Sequence, residues 1–134
     1  MPSDWNVKVI EEFRANNGVV ANFGGTLLVL HTTGARTGRE HVTPVMYRKV
    51  ESGYAVFASA AGNPRNPAWY HNLVAHPDVE AEIGAQTLRL RARVASDAER
   101  EPIWTAHKTE FPGFKDYENK TTRQIPVVIL EPAS

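Results

Sequence analysis

The sequence contains no cysteine. Disulfides, thiolate metal sites and a thiol nucleophile are therefore excluded, in keeping with a reducing compartment. Net charge is also absent, since fifteen basic residues balance fifteen acidic ones. A neutral chain has no global field to draw in nucleic acid, so no nucleic-acid partner is expected and any anion site must be local. Long apolar runs are missing too. The longest, near Thr26 to Leu30, falls far short of the roughly 20 residues of a membrane span. The opening residues Met1-Pro2-Ser3-Asp4-Trp5-Asn6 lack the basic and apolar regions of a signal peptide. No internal repeat, linker or low-complexity tract interrupts the 134 residues, which is the length of one ordinary domain. The expectation is a single cytoplasmic domain over 1–134, with weak membrane association of the first helix left open.

What is present reads as alternating strands with few helices. Ser3 is placed to N-cap a helix over about 3–16, with Trp5, Val9, Ile10 and Phe13 on one side. Strands follow at Thr26–His31, His41–Val50 and Tyr54–Ser59, the last two joined by a hairpin at Glu51-Ser52-Gly53. Asn66-Pro67 reads as the N-cap and first turn of a helix to about Ala75. Val79, Ala81 and Ile83 alternate with acidic residues, and Leu88, Leu90, Ala92 and Val94 with Thr87, Arg89, Arg91 and Arg93. Pairing these two runs across Gly84-Ala85 sets Glu80 opposite Arg89 and Asp78 opposite Arg91, so the arginine stripe is expected to be a solvated face of cross-strand ion pairs. Ser96 with Glu99 is a capping box for a helix to about Glu110, stopped by Pro112-Gly113. Phe114–Asn119 reads as a short turn or helix, and Ile125–Leu130 as a last strand. Six strands with hairpin connections and three or four helices predict an α+β barrel, because a parallel sheet would need more crossover helices.

Several chemistries find no support. His31, His41, His71, His76 and His107 have no metal-ligand spacing, so no metal site is expected. A G-x-S-x-G nucleophile elbow is also lacking. The loop Thr33-Gly34-Ala35-Arg36-Thr37-Gly38-Arg39 is more informative. With Thr32 it gathers two guanidiniums, three hydroxyls and flexible backbone N–H groups, the donors that hold a phosphate or carboxylate. It is neither a Walker loop nor a dinucleotide fingerprint, because the spacing differs and no helix is predicted after it. Two readings stand side by side, an anion site and a basic hairpin loop. A second cluster, Asn66-Pro67-Ala68-Trp69-Tyr70-His71-Asn72-Leu73, spaces Asn66, Trp69 and Asn72 three apart. That stripe suits a planar heteroaromatic ligand, or serves only to seal a helix onto the barrel.

These segments, with Pro44, Ala75-His76-Pro77 and Arg123-Gln124-Ile125-Pro126-Val127, resemble the deazaflavin-dependent nitroreductase family in order and spacing from about Phe23 to Pro132. The resemblance implies a split β-barrel, the fold of flavin-mononucleotide oxidases, and an enzyme that uses reduced coenzyme F420, a deazaflavin, to reduce a quinone, a nitroaromatic or another activated acceptor. It implies that Arg36 and Arg39 neutralise the cofactor's phosphate and acidic tail, within a site formed by Thr33, Gly34, Thr37, Gly38, His41 and Pro44. Ser59 and Ala60 would lie near the deazaflavin ring, with Asn66, Trp69 and Asn72 shaping the groove. Tyr117 matches a tyrosine over the substrate pocket and is the candidate proton donor. Two tyrosine positions of that pocket are Phe111 and Phe114 here, and a third is Met46, so the pocket is expected to be more apolar and to suit a quinone better than a nitro compound. Two alternatives share this barrel: a flavin-mononucleotide (or haem-degrading) protein, and a non-catalytic carrier of the cofactor or a fatty acid.

Overall fold

Strand residues that alternate with period two sort themselves between the inside of a barrel and the helices outside it. The computed structural model describes residues 4–21 and 23–133. In chain order it contains α1 (Asp4–Ala15), β1 (Leu27–Thr33), β2 (Glu40–Val50), β3 (Gly53–Phe57), α2 (Ala68–Ala75), β4 (Asp78–Ile83), β5 (Gln86–Val94), α3 (Asp97–Glu110), α4 (Gly113–Lys120) and β6 (Val127–Pro132). All neighbouring strands are antiparallel and close in the order β1-β2-β3-β6-β5-β4. The predicted α+β split barrel is the observed fold.

Leu28, Leu30, Val56, Val79, Ala81, Leu90, Ala92, Val128 and Leu130 fill the barrel, and Trp69 and Leu73 of α2 pack onto the same cluster. The intervening residues face outward. Leu27 and Val29 lie under Val9, Ile10 and Phe13 of α1. Ala55, Phe57, Val127 and Ile129 lie under Trp104 and Phe114 of α3 and α4. Met46 borders both outer clusters. Closure leaves no unpaired edge, which a six-stranded open sheet would otherwise expose.

The expected cap of the first helix, Ser3, lies outside the described residues; within the helix Trp5 is 55% exposed, unlike Val9, Ile10 and Phe13, and meets the edge of Phe23. Polar contacts also fasten this helix. Arg14 donates to both oxygens of Glu82, at 2.9 and 2.7 Å, and His31 reaches the same carboxylate at 2.7 Å. The Arg14 hydrogen bonds hold the Glu82 carboxyl below its ordinary range.

Other elements follow their local chemistry. Ser96 accepts from the Glu99 N–H, and Glu99 accepts from the Ser96 N–H. Asp78 sits opposite Arg91 and Glu80 opposite Arg89. Arg91 pairs with Asp78 at 3.0 Å, whereas Arg93 instead forks between Glu99 and Glu131. Arg89 makes no ion pair among the described residues.

Candidate functional site

The chain termini of β1 and β3 and the start of α2 meet at one end of the barrel, and the arginine loop lies there. The loop is held shape-first by its own backbone. Gly34 N–H donates to the Arg39 carbonyl at 2.7 Å and Gly38 N–H to the Gly34 carbonyl at 3.0 Å. A Cβ at Gly34 would stand 2.6 Å from Thr37 Oγ1 and 3.0 Å from His41 Nε2, so a larger residue would push the Thr37 hydroxyl and the His41 ring aside. Asn72, buried on α2, braces the loop from below. Its Oδ1 accepts from Ala35 N–H at 3.0 Å, and its Nδ2 donates to Thr32 Oγ1 at 3.2 Å.

Arg36 and Arg39 are exposed, and their guanidiniums make no hydrogen bond or ion pair with the described residues. Among the described residues Arg14, Arg48, Arg91 and Arg93 are each paired with a carboxylate, whereas Arg36 and Arg39, like Arg89, are not. Two free cations beside an ordered loop fit a phosphate and carboxylates from solution. A groove of about 500 Å³ runs beside them, lined by Gly34, Ala35, Arg36, Thr37, His41, Ala68, His71 and Asn72. A larger groove of about 830 Å³ lies on the loop's other flank; Arg89 and His31 line it, but Glu40, Asp78 and Glu80 outnumber the one unpaired arginine and make it a poorer seat for an anion. The smaller groove is therefore the better fit to an anionic cofactor.

The segment from Ser59 to Asn66, which leads into α2, does not line that groove. Ala60 has φ 47°, a left-handed conformation that costs a non-glycine residue about 1–2 kcal/mol. Arg123 holds this turn in place. Its Nη2 donates to the Ala58 and Ser59 carbonyls at 3.1 and 2.9 Å, its Nε to the Asn63 carbonyl at 3.0 Å, and its Nη1 to Asn66 Oδ1 at 2.6 Å. Burial pulls the Arg123 pKa down. On the far side, Gly62 has φ 81°, and a Cβ there would stand 2.9 Å from both the Tyr117 carbonyl and Lys120 Cβ. The turn thus rests directly on α4.

The expected stripe of Asn66, Trp69 and Asn72 does not form one helical face. Pro67, not Asn66, caps α2, which starts at Ala68. The Asn66 amide oxygen instead accepts from Arg123 Nη1. Trp69 is 8% exposed and belongs to the barrel core. Ala68, His71 and Asn72 are the α2 residues that border the groove.

The residues expected around the acceptor do come together. Phe114 is buried, and Met46, Phe111 and Tyr117 pack half-buried against the same outer cluster under α3 and α4. Tyr117 meets Phe114 edge-on at 5.3 Å. Pro44 is buried on β2, two residues before Met46 and therefore on the same face.

Sequence reasoning missed His107, which is wholly buried within this aromatic group. Its helical spacing to Phe111 was the available signal. Burial, and secondarily the charge of Arg48, lowers its pKa from 6.5 to about 4. The folded protein thus keeps the imidazole neutral where the unfolded chain protonates it. Stability contributed by this group is present above about pH 6.5 and is lost as pH falls toward 4, by on the order of 1 kcal/mol per pH unit. Urea unfolding of wild type and His107→Phe across that range is expected to give a shallower acid slope for the variant; parallel slopes would refute the assignment.

Among the described residues no helix is long and apolar enough to cross a membrane, and no group of His, Asp and Glu side chains could hold a metal ion.

Comparison with known proteins bears on the family of the chain. Residues 5–132 match the family described as F420H(2)-dependent quinone reductase. An F420H(2)-dependent quinone reductase of Mycobacterium tuberculosis is 37% identical over 106 residues, which cover 77% of this chain and 71% of the relative. A solved structure described as an F420-H2 dependent reductase is 36% identical with a TM-score of 0.72, covering 79% of this chain and 94% of the other. Another, described as a domain-swapped dimer, is 33% identical with a TM-score of 0.74 and 93% coverage of both chains.

Proposed function

The chain belongs to the F420H(2)-dependent quinone reductase family, and from that premise we propose that it reduces a quinone with reduced coenzyme F420, Arg36 and Arg39 holding the cofactor. Membership makes the protein an oxidoreductase with coenzyme F420 as its cofactor. The observation that supports the binding role is the unengaged Arg36 guanidinium lining the groove of about 500 Å³, with the unengaged Arg39 on the same loop. When bound, the reduced deazaflavin supplies the hydride.

The chain's own residues supply position, dryness and a proton. Asn72 fixes the loop through Ala35 and Thr32. Thr37 and His41 line the same groove and would complete the anion site, whereas Thr33 and Gly38 border the acidic groove on the loop's other flank and would act only through the loop's backbone. Arg123 fixes the Ser59–Ala60 turn, which would border the ring. Met46, Phe111 and Phe114 form an apolar wall that excludes water from the acceptor, and their lack of hydroxyl donors favours a quinone over a nitroaromatic compound. Tyr117, at the edge of that wall, would donate the proton from its phenol oxygen. A quinone gains one hydride and one proton to become a hydroquinone, so a single proton donor completes the reaction.

Fluorescence titration tests the cofactor assignment. Micromolar-range binding of coenzyme F420 and weaker binding of flavin mononucleotide are expected. Equal or tighter binding of flavin mononucleotide would favour the flavin alternative, and binding without quinone turnover would favour a carrier.

The proton-donor role has its own test. Tyr117→Phe keeps the ring against Phe114 but removes the hydroxyl, and quinone turnover at saturating reduced cofactor is expected to fall about tenfold or more. Arg91→Ala serves as the control. Its exposed pair with Asp78 is worth less than about 1 kcal/mol, and turnover should be unchanged. Normal turnover in Tyr117→Phe would remove that residue from the mechanism.

A further inference from the structure

The groove of about 500 Å³ beside the loop is lined by Arg36, His41 and His71, and by no carboxylate among the described residues. These three side chains come from three elements: the loop, the start of β2 and the first turn of α2. Both histidines are exposed, and neither imidazole makes a hydrogen bond or ion pair with a described residue. His71 meets only the edge of the Tyr70 ring, with centroids 5.6 Å apart. Their positions are nonetheless fixed by neighbours. Asn72, the next residue after His71, accepts from Ala35 N–H at 3.0 Å and donates to Thr32 Oγ1 at 3.2 Å, which locks α2 to the loop. A Cβ at Gly34 would stand 3.0 Å from His41 Nε2, so that ring lies directly against the loop.

The groups around these two imidazoles are cationic or neutral. The loop presents Arg36 and Thr37 to the groove and carries Arg39. Strand β1 sets Thr32 opposite His41, and α2 adds Tyr70 and Asn72 beside His71. The carboxylate nearest in sequence, Glu40, precedes His41 on β2, and period two turns it to the other flank. There it meets His31 Nδ1 at 3.3 Å and lines the acidic groove. Histidine is the side chain that ordinarily changes charge between pH 5 and 8. A cation such as Arg36 close by disfavours the charged imidazole, whereas an oxyanion placed among the three favours it. The protonated ring then donates a charge-assisted hydrogen bond to that anion. Ala68, which opens α2, borders the same groove, at the end of a helix whose dipole favours negative charge.

We propose that His71 and His41 bind an oxyanion of coenzyme F420 alongside Arg36, and that the cofactor draws a proton from solvent onto these imidazoles as it binds. The inference rests on the reading that the anionic part of the cofactor occupies this groove; it adds His71 to the site and ties affinity to pH. The chemistry recognised is an oxyanion, supplied by the phosphate or by a carboxylate of the acidic tail. Each imidazole that becomes charged takes one proton from the buffer, and no bond of the cofactor is made or broken. Binding that takes up protons strengthens as pH falls, by tenfold per pH unit for each whole proton taken up. Arg36 keeps its charge throughout this range, so it holds the anion at high pH while the histidines add their share below it.

Calorimetric titration of coenzyme F420 in two buffers of different ionisation enthalpy counts the protons taken up. Wild type is expected to take up more than His41→Gln/His71→Gln, and its affinity should fall more steeply from pH 6 to pH 8, by about threefold to tenfold per pH unit. His71→Gln alone should lower affinity at pH 6 by about tenfold. Titration of the deazaflavin ring itself is common to every variant, so the difference in slope isolates the histidines. His76→Gln, at the C-cap of α2 and outside the groove, should keep the wild-type slope. A second measurement needs no cofactor. In wild-type protein carrying 15N-labelled histidine, inorganic phosphate and a glutamyl dipeptide are added separately at pH 7, and the oxyanion that the site prefers should move the His41 and His71 ring resonances at the lower concentration. Resonances that move in a protein that binds no coenzyme F420 would support the histidine site while defeating the cofactor reading. Coenzyme F420 binding with equal proton uptake and equal slope in wild type and the double variant would overturn this inference and leave that reading in place. Ring resonances that ignore coenzyme F420 and both small anions would overturn it as well.

Discussion

Replacing Arg36 and Arg39 together by alanine is expected to weaken coenzyme F420 binding by about two to three orders of magnitude, the largest single effect on ligand affinity in this account. A hydrogen bond to a charged group contributes roughly 1.5–3 kcal/mol, and each loss of about 1.4 kcal/mol is tenfold in affinity. Arg36→Ala alone should therefore cost about tenfold to a hundredfold. Neither guanidinium makes a hydrogen bond or ion pair with a described residue, so the cofactor-free protein should melt at its wild-type temperature. That separation makes the test clean: affinity falls while the fold stays as it was. The binding should also weaken with salt, because exposed charges are screened. Isothermal titration of both variants decides it, and wild-type affinity in the double variant would reduce the loop to a basic hairpin connection.

The second large effect is structural. Arg123→Ala should destabilise the protein by about 3 kcal/mol or more, lowering the melting temperature by roughly 10 °C. Four hydrogen bonds are lost at once, and the carbonyls of Ala58, Ser59 and Asn63 are left without this donor. The left-handed Ala60 depends on that support, since strained backbone persists only where its surroundings over-determine it. The Ser59–Ala60 turn borders the proposed ring site, so quinone turnover should fall even below the new melting temperature. Thermal unfolding monitored by circular dichroism checks the first part; a shift of only a degree or two would mean the turn holds itself.

The contrast between these arginines explains what could be read in advance. Local chemistry was legible wherever neighbours in sequence are neighbours in space. The Ser96 and Glu99 capping box, the hairpin about Gly84-Ala85 and the curled Thr33–Arg39 loop each carry their own instructions, and the register of Asp78 with Arg91 followed from a two-residue turn. Asn66 shows where this stops. By local rules Asn-Pro opens a helix, but Arg123, 57 positions away, competes for its amide oxygen and wins. Trp69 was ambiguous for a similar reason: periodicity reports which residues share a face, not whether that face meets a ligand or the barrel interior. His107 was illegible because its burial with neither ring nitrogen partnered among the described residues appears only once nearby donors and acceptors have been located.

The claim that organises these details is hydride transfer from reduced coenzyme F420 to a quinone. Its most direct test is to mix the purified protein anaerobically with reduced coenzyme F420 and a naphthoquinone, and to follow the return of the oxidised deazaflavin absorbance. Oxidation of the cofactor that requires both protein and quinone, yields one hydroquinone per cofactor and slows in Tyr117→Phe is the expected result. A rate no higher than that without protein, or quinone reduction that proceeds with reduced flavin mononucleotide but not with reduced coenzyme F420, would contradict it.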